Sequence, residues 1–157
     1  MVKKIDKKFC DMKKNFLIAA LAALTALAGV ASCGGGDYTS KVPGKYELVG
    51  MDSECDFSAD GKYTVTITTP ELGYTSITPG EWKVDGDSIY ITTYLTETTC
   101  NFNSDVSEED KASFENDMKA LAEEMPVQKR ALKIVKVNGG GMTLEFNGFE
   151  QEYKRLD

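Results

Sequence analysis

From Gly44 onward the sequence predicts a mainly β protein: an antiparallel meander of short strands with one inserted α-helix. Three observations carry that expectation. Apolar residues recur with period two over most of the chain. Asx-Gly dipeptides punctuate them where tight turns are needed. A single stretch, residues 107–125, changes to the helical period.

Taken in order, Tyr46 and Leu48 alternate with Glu47 and Val49, which predicts an opening strand. Tyr63, Val65 and Ile67 alternate with Thr64, Thr66 and Thr68, giving a half-buried strand with a threonine-coated outer face. Trp82 and Val84 face Ile89 and Ile91 across Asp85-Gly86, and the strand beginning at Ile89 is expected to run through Leu95 to end at Cys100. Late in the chain, Leu132 and Ile134 lead through Asn138-Gly139-Gly140-Gly141 to Met142, Leu144 and Phe146. Asn147-Gly148 then turns the chain into Phe149, Gln151 and Tyr153. The helical stretch opens at Ser107-Glu108-Glu109-Asp110, a capping-box pattern with acids at the positive helix end. Phe114, Met118, Leu121, Ala122 and Met125 form one apolar face, Glu115 and Lys119 are placed for an exposed i,i+4 pair, and Pro126 ends the helix.

The residues ahead of this domain concern its address. Lys13 and Lys14 precede an apolar run, Leu17 to Ser32, of 16 residues. That is shorter than the roughly 20 a spanning helix needs, and it has the basic, apolar and small-residue order of a secretory signal peptide. Residues 1–32 are therefore expected to be removed. Met12-Lys13-Lys14-Asn15 is the more typical start of such a signal, so translation is expected to begin at Met12, leaving Cys10 unused. The end of the signal, Val30-Ala31-Ser32-Cys33, resembles a bacterial lipobox. The resemblance implies that Cys33 takes a diacylglyceryl thioether and, after cleavage, an acyl group such as palmitate on its new amino group. The alternative is an ordinary cleaved signal. Residues 33–43 read as the lipidated N-terminus and a flexible glycine-rich tether. Gly34, standing where a retention signal would place Asp, favours the outer membrane by resemblance to the enterobacterial sorting pattern.

The mature chain, residues 33–157, is 125 residues, one domain's worth, with a formal charge of −11. Such a surface repels nucleic acid and anionic headgroups. Of its cysteines, Cys33 is expected to carry lipid. Cys55 and Cys100 remain as an even pair in an oxidising compartment, so a Cys55–Cys100 disulfide is the economical expectation and two buried free thiols the alternative.

Catalytic chemistry finds little support. The chain has no histidine, and no nucleophile–base motif stands out, so no catalytic residue, metal or cofactor is expected. Asp56-Phe57-Ser58-Ala59-Asp60-Gly61 matches half a calcium loop, but its twelfth position is Ile67, not a bidentate glutamate. Gly139-Gly140-Gly141 lacks the lysine and helix of a phosphate loop.

The order of segments resembles the small lipocalin-like domains of bacterial lipoproteins. The resemblance lies in Gly44-Lys45-Tyr46, Phe57-Ser58-Ala59-Asp60-Gly61-Lys62-Tyr63, Gly80-Glu81-Trp82 through Asp85-Gly86-Asp87-Ser88-Ile89, Ile134 to Val137, Met142 to Phe146, and Tyr153-Lys154-Arg155-Leu156. It implies an up-and-down antiparallel barrel of about eight strands over residues 44–157, with the helix (about 107–125) as an insertion. Tyr46 stands where such domains often carry Trp. Tyr46, Tyr63, Trp82 and Phe146, with Phe149, are the expected interior residues and candidate contacts for a small apolar ligand; a barrel packed by those same side chains is the alternative. The expected function is accordingly that of a non-enzymatic, lipid-anchored envelope lipoprotein that binds or carries a small apolar molecule. The alternative is an envelope protein–protein interaction scaffold with a packed, ligand-free barrel.

Overall fold

The structure, a computed structural model, describes residues 37–157. The signal peptide, Cys10, Cys33 and the start of the tether lie outside the described residues. Nine strands follow: β1 (Gly44–Leu48), β2 (Ser53–Phe57), β3 (Lys62–Thr69), β4 (Tyr74–Asp85), β5 (Ser88–Tyr94), β6 (Thr99–Phe102), β7 (Val127–Asn138), β8 (Gly141–Phe146) and β9 (Phe149–Arg155). The one helix among them, α1, spans Glu108–Glu124.

Every neighbouring pair is antiparallel, and eight of the strands close a ring in the order β1-β2-β3-β4-β5-β7-β8-β9, with β9 returning to β1. Closure leaves none of the eight with a bare edge to aggregate through. The ninth strand, β6, is a continuation of β5. β5 pairs with Gly80–Asp85 of β4, β6 with Tyr74–Ile77 of the same strand, and a short 3-10 turn, Leu95–Glu97, bulges between them. The expected single strand to Cys100 is therefore broken. Pro79 lies in the two-residue gap between these pairings, where an absent N–H is best tolerated. Thr78 and Thr98 hydroxyls bridge it at 3.0 Å.

Gly80 follows at the point where β4 changes partners. A Cβ built on it comes 2.1 Å from the Thr92 carbonyl oxygen, which is backbone and has nowhere to go. Gly80→Ala is expected to cost about 2 kcal/mol through overpacking, read as a lower urea midpoint with unchanged m. A midpoint equal to wild type would show that β4 can bend without glycine there.

Turn chemistry follows the sequence closely. Gly86 has φ 62 and, with Asp87, forms the two-residue β4–β5 turn, one place later than Asp85-Gly86. Asn147 (φ 50) and Gly148 (φ 80) form the β8–β9 turn. The helix also starts and stops as expected. Ser107 Oγ accepts from the Asp110 amide at 3.1 Å, and the Met125 amide closes the last turn on Leu121. Among the described residues an ion pair forms between Lys111 and Glu108, three apart, and none between Glu115 and Lys119.

The core lines the inside of the ring: Tyr46, Cys55, Phe57, Tyr63, Trp82, Ile89, Ile91, Leu132, Ile134, Met142 and Leu144, with Val42 from the N-terminal segment. Phe149 is a correction to the expected interior set. It sits at the β8–β9 turn and is 80% exposed.

Candidate ligand site in the barrel

The two ends of the barrel are built differently. At one end the turn Tyr38–Val42 folds back, with the Lys41 and Val42 amides both bonded to the Tyr38 carbonyl, and inserts Val42 with no exposed surface. Tyr46 Oη donates to the Val42 carbonyl at 2.8 Å. Arg155 then ties the segment down, donating to the carbonyls of Pro43 (2.9 Å) and Lys41 (2.8 Å) and to Tyr46 Oη (2.6 Å), with its guanidinium 4.9 Å from the Tyr46 ring centre. Behind this plug the rings of Tyr46, Tyr63 and Trp82 surround Phe57, at 5.9, 5.0 and 5.5 Å. Trp82 Nε1 donates to the Ser58 carbonyl at 2.8 Å. This end is sealed, and its buried side-chain polar atoms are paired internally except for the Arg155 Nε.

The other end carries α1. Along β4 the pleat puts residues 74, 76, 78, 80, 82 and 84 on one face, and Trp82 marks that face as inward. Tyr74 and its cross-strand partner Phe102 thus extend the inner surface beyond the ring, and Phe114 of α1 packs on them at 4.2 and 5.8 Å. The rest of the helical stripe is only half buried, with Ala122 alone fully so. Between α1 and the Leu95–Cys100 segment lies a groove of about 600 Å³, lined by Leu95, Thr98, Cys100, Met118, Ala122 and Pro126 among others. A shallower one of about 340 Å³ lies over β7–β9, against Lys136, Met142 and Lys154.

Between the sealed end and the helix, the lumen turns polar. Gln128 and Arg130 of β7 share the inward face with Leu132 and Ile134, and Gln128 and Thr93 are each only 6% exposed. Arg130 lies within electrostatic reach of Tyr63 on β3 and Tyr153 on β9. Its charge favours ionisation of Tyr63 and of Tyr153, though burial outweighs it and holds both phenols well above their ordinary range. Burial likewise raises the Cys55 thiol, with Asp56 and Glu54 adding to it, and desolvation lowers the Arg130 guanidinium. Sequence alternation from Leu132 and Ile134 backwards would have placed Arg130 and Gln128 inside; their polarity hid them.

Of the sequence-derived candidates, Tyr46, Tyr63 and Trp82 are in the core and Phe146 packs against it. They do not form one site. Tyr46 and Trp82 belong to the sealed end, while Tyr63 reaches the polar cluster, where its hydroxyl bonds Cys55.

The expected Cys55–Cys100 bridge is not formed: both thiols are free. Cys55 is on β2 and Cys100 on β6, with β3 and β4 between them. Three inter-strand steps of about 4.8 Å far exceed the roughly 7 Å limit between Cα atoms for a disulfide. Cys55 lies inside the core and Cys100 in the groove beneath the helix. Native protein treated with N-ethylmaleimide is therefore expected to label at Cys100 at least about tenfold faster than at Cys55, read by mass mapping of labelled peptides. Equal rates would mean that the barrel opens readily.

Among the described residues no group of three or more His, Cys, Asp or Glu side chains could hold a metal ion, and no helix is long and apolar enough to cross a membrane.

Fold and site together define a small lipocalin-like barrel. The chain is similar in structure to a lipocalin-like protein from Bacteroides uniformis, with a TM-score of 0.50 and 14% identity over 74% of this chain and 99% of that one. A protein from Bacteroides eggerthii gives a TM-score of 0.47 and 18% identity over 73% and 98%. No protein-family model and no curated protein sequence matches the chain.

Proposed function

We propose that this protein is a non-enzymatic binding protein of the cell envelope, anchored to the outer membrane through lipid on Cys33, whose barrel holds a small apolar molecule. The observation that carries the ligand reading is the asymmetry of the barrel. One end is plugged by Val42 and clamped by Arg155, whereas the helical end is covered by α1 through Phe114 and Ala122 and keeps a groove of about 600 Å³ beside it. A ligand enters from the helical end and rests above the aromatic floor. The apolar run and lipobox-like Val30-Ala31-Ser32-Cys33 support the anchor. The packed floor also supports the second reading, a scaffold whose surface does the binding.

Native mass spectrometry of protein purified without detergent, with Nile red titration of the same sample, separates the two. A retained small molecule, or saturable Nile red binding that quenches Trp82, the only tryptophan, is the expected result. An empty barrel that takes up no dye would leave the scaffold. Radiolabelled palmitate incorporation, lost in Cys33→Ala, is the expected result for the anchor.

A further inference from the structure

Among the described residues β6 is the one strand that pairs on a single side. The direction of its free groups follows from the alternation of bonded and non-bonded pairs in an antiparallel ladder. The Asn103 amide donates to the Gly73 carbonyl at 2.7 Å, so Thr75–Asn101 and Ile77–Thr99 are the bonded pairs further along. Cys100 and Phe102, opposite Ser76 and Tyr74, therefore turn their N–H and C=O groups away from β4. Among the described residues no strand lies on that side, and no turn or loop backbone bonds to either residue.

The edge is open because β7 flanks β5 only as far as the bond from the Leu95 amide to the Pro126 carbonyl, at 3.0 Å. Ahead of Pro126 the chain is helical, and the groove of about 600 Å³ begins there. Leu95 and Cys100 line it on the strand side, Met118 and Ala122 on the helix side. An added strand needs this combination: backbone groups on an open edge, with apolar surface beside it for alternate side chains. In a second copy the same edge is flanked by the same helix, about 10 Å across with its side chains, so two such edges cannot meet. A single extended chain can lie between helix and strand. Charge narrows its chemistry. Glu115 and Glu123 also line the groove, with Lys119 between them. Burial first, then the Glu115 carboxylate, raise the Cys100 thiol, which puts that carboxylate close to the strand. The helix side is net negative and favours basic side chains on the chain it receives.

We propose that the groove between α1 and β6 takes an extended, basic segment of a partner protein as an added strand, bonded to the backbone of Cys100 and Phe102. This goes beyond the ligand reading and does not depend on it, because the bonds are made to the edge of β6 and not to the barrel interior.

The probe is a capped hexapeptide alternating lysine and valine, titrated into the full chain and followed by amide hydrogen exchange. At saturation the Cys100 and Phe102 amides are expected to slow about tenfold or more, and those of Thr99 and Asn101, already bonded to β4, by less than about twofold. N-methylating the peptide's backbone amides is expected to weaken binding about tenfold, and replacing its lysines by glutamate about fivefold. Cys100→Pro removes one of the two edge donors where proline is tolerated, and is expected to weaken binding about fivefold. Should that variant fail to fold by circular dichroism, Glu115→Lys combined with Glu123→Lys, both at exposed positions, is expected to reverse the preference for the lysine peptide. No slowing at Cys100 and Phe102 with peptide at about 1 mM, or slowing only elsewhere, overturns the proposal. Protection of these two amides in the protein alone also overturns it, giving the edge to the chain's own N-terminal segment or to a second copy. Each of these outcomes leaves the ligand reading to its own dye titration.

Discussion

Phe57→Ala is expected to lower the unfolding free energy by about 3–5 kcal/mol, which for a domain of this size is much of its stability. Phe57 is fully buried, and the rings of Tyr46, Tyr63 and Trp82 all rest on it. Truncation leaves a hole at the centre of the sealed end. The rim cannot collapse into it, because Tyr46 is tied to Val42 and Arg155 and Trp82 to Ser58. Urea unfolding followed by Trp82 fluorescence measures the loss and reports the site directly, since that indole meets Phe57 edge-on at 5.5 Å. Phe149→Ala is the matched control: with 80% of its surface exposed it is expected to change stability by less than about 0.5 kcal/mol. If the two substitutions cost the same, the assignment of inside and outside along β8–β9 and β2 is wrong.

The readable parts of the fold are those where one face is apolar and the other polar. Tyr63-Val65-Ile67, the Trp82–Ile91 hairpin and the capped helix all have that form, and each stands where the sequence places it. What stays hidden has inward residues that are small or polar. β2 turns Ser53, Cys55 and Phe57 inwards, so only its last residue looks like a strand. The first half of β4, Tyr74 to Gly80, contains threonine, serine, proline and glycine and reads as loop; its pairing to β3 and β6 is decided by tertiary closure. The same rule concealed the lumen. Gln128 and Arg130 continue the inward parity of Leu132 and Ile134, but an amphipathic reading assigns a charged residue to solvent by default. The cysteine pairing failed for another reason. Counting thiols says how many bridges are available, while strand order alone shows that β3 and β4 separate Cys55 from Cys100.

Arg155→Met is expected to cost about 3 kcal/mol, through a mechanism unlike that of Phe57. Arg155 is near the end of β9, and its side chain, 19% exposed, reaches the backbone of a segment more than a hundred residues earlier. It joins Lys41 and Pro43 to the barrel wall and donates to Tyr46 Oη, which in turn donates to Val42. Methionine keeps most of the apolar stem but removes every donor, so the Pro43 carbonyl and the Tyr46 oxygen lose charge-assisted bonds in a partly dry site. The segment Tyr38–Val42 then has only its own turn and the Val42 side chain to hold it. Hydrogen exchange is the discriminating readout. In the variant the Lys41 and Val42 amides, now bonded to Tyr38, are expected to lose protection well before the β4–β5 hairpin does. Loss spread evenly over the barrel would mean that Arg155 supports the sheet as a whole, and unchanged protection at Val42 would show that the plug holds without it. If the plug does open, the sealed end becomes a second mouth. Nile red uptake should then rise in Arg155→Met although its target half of the lumen is untouched.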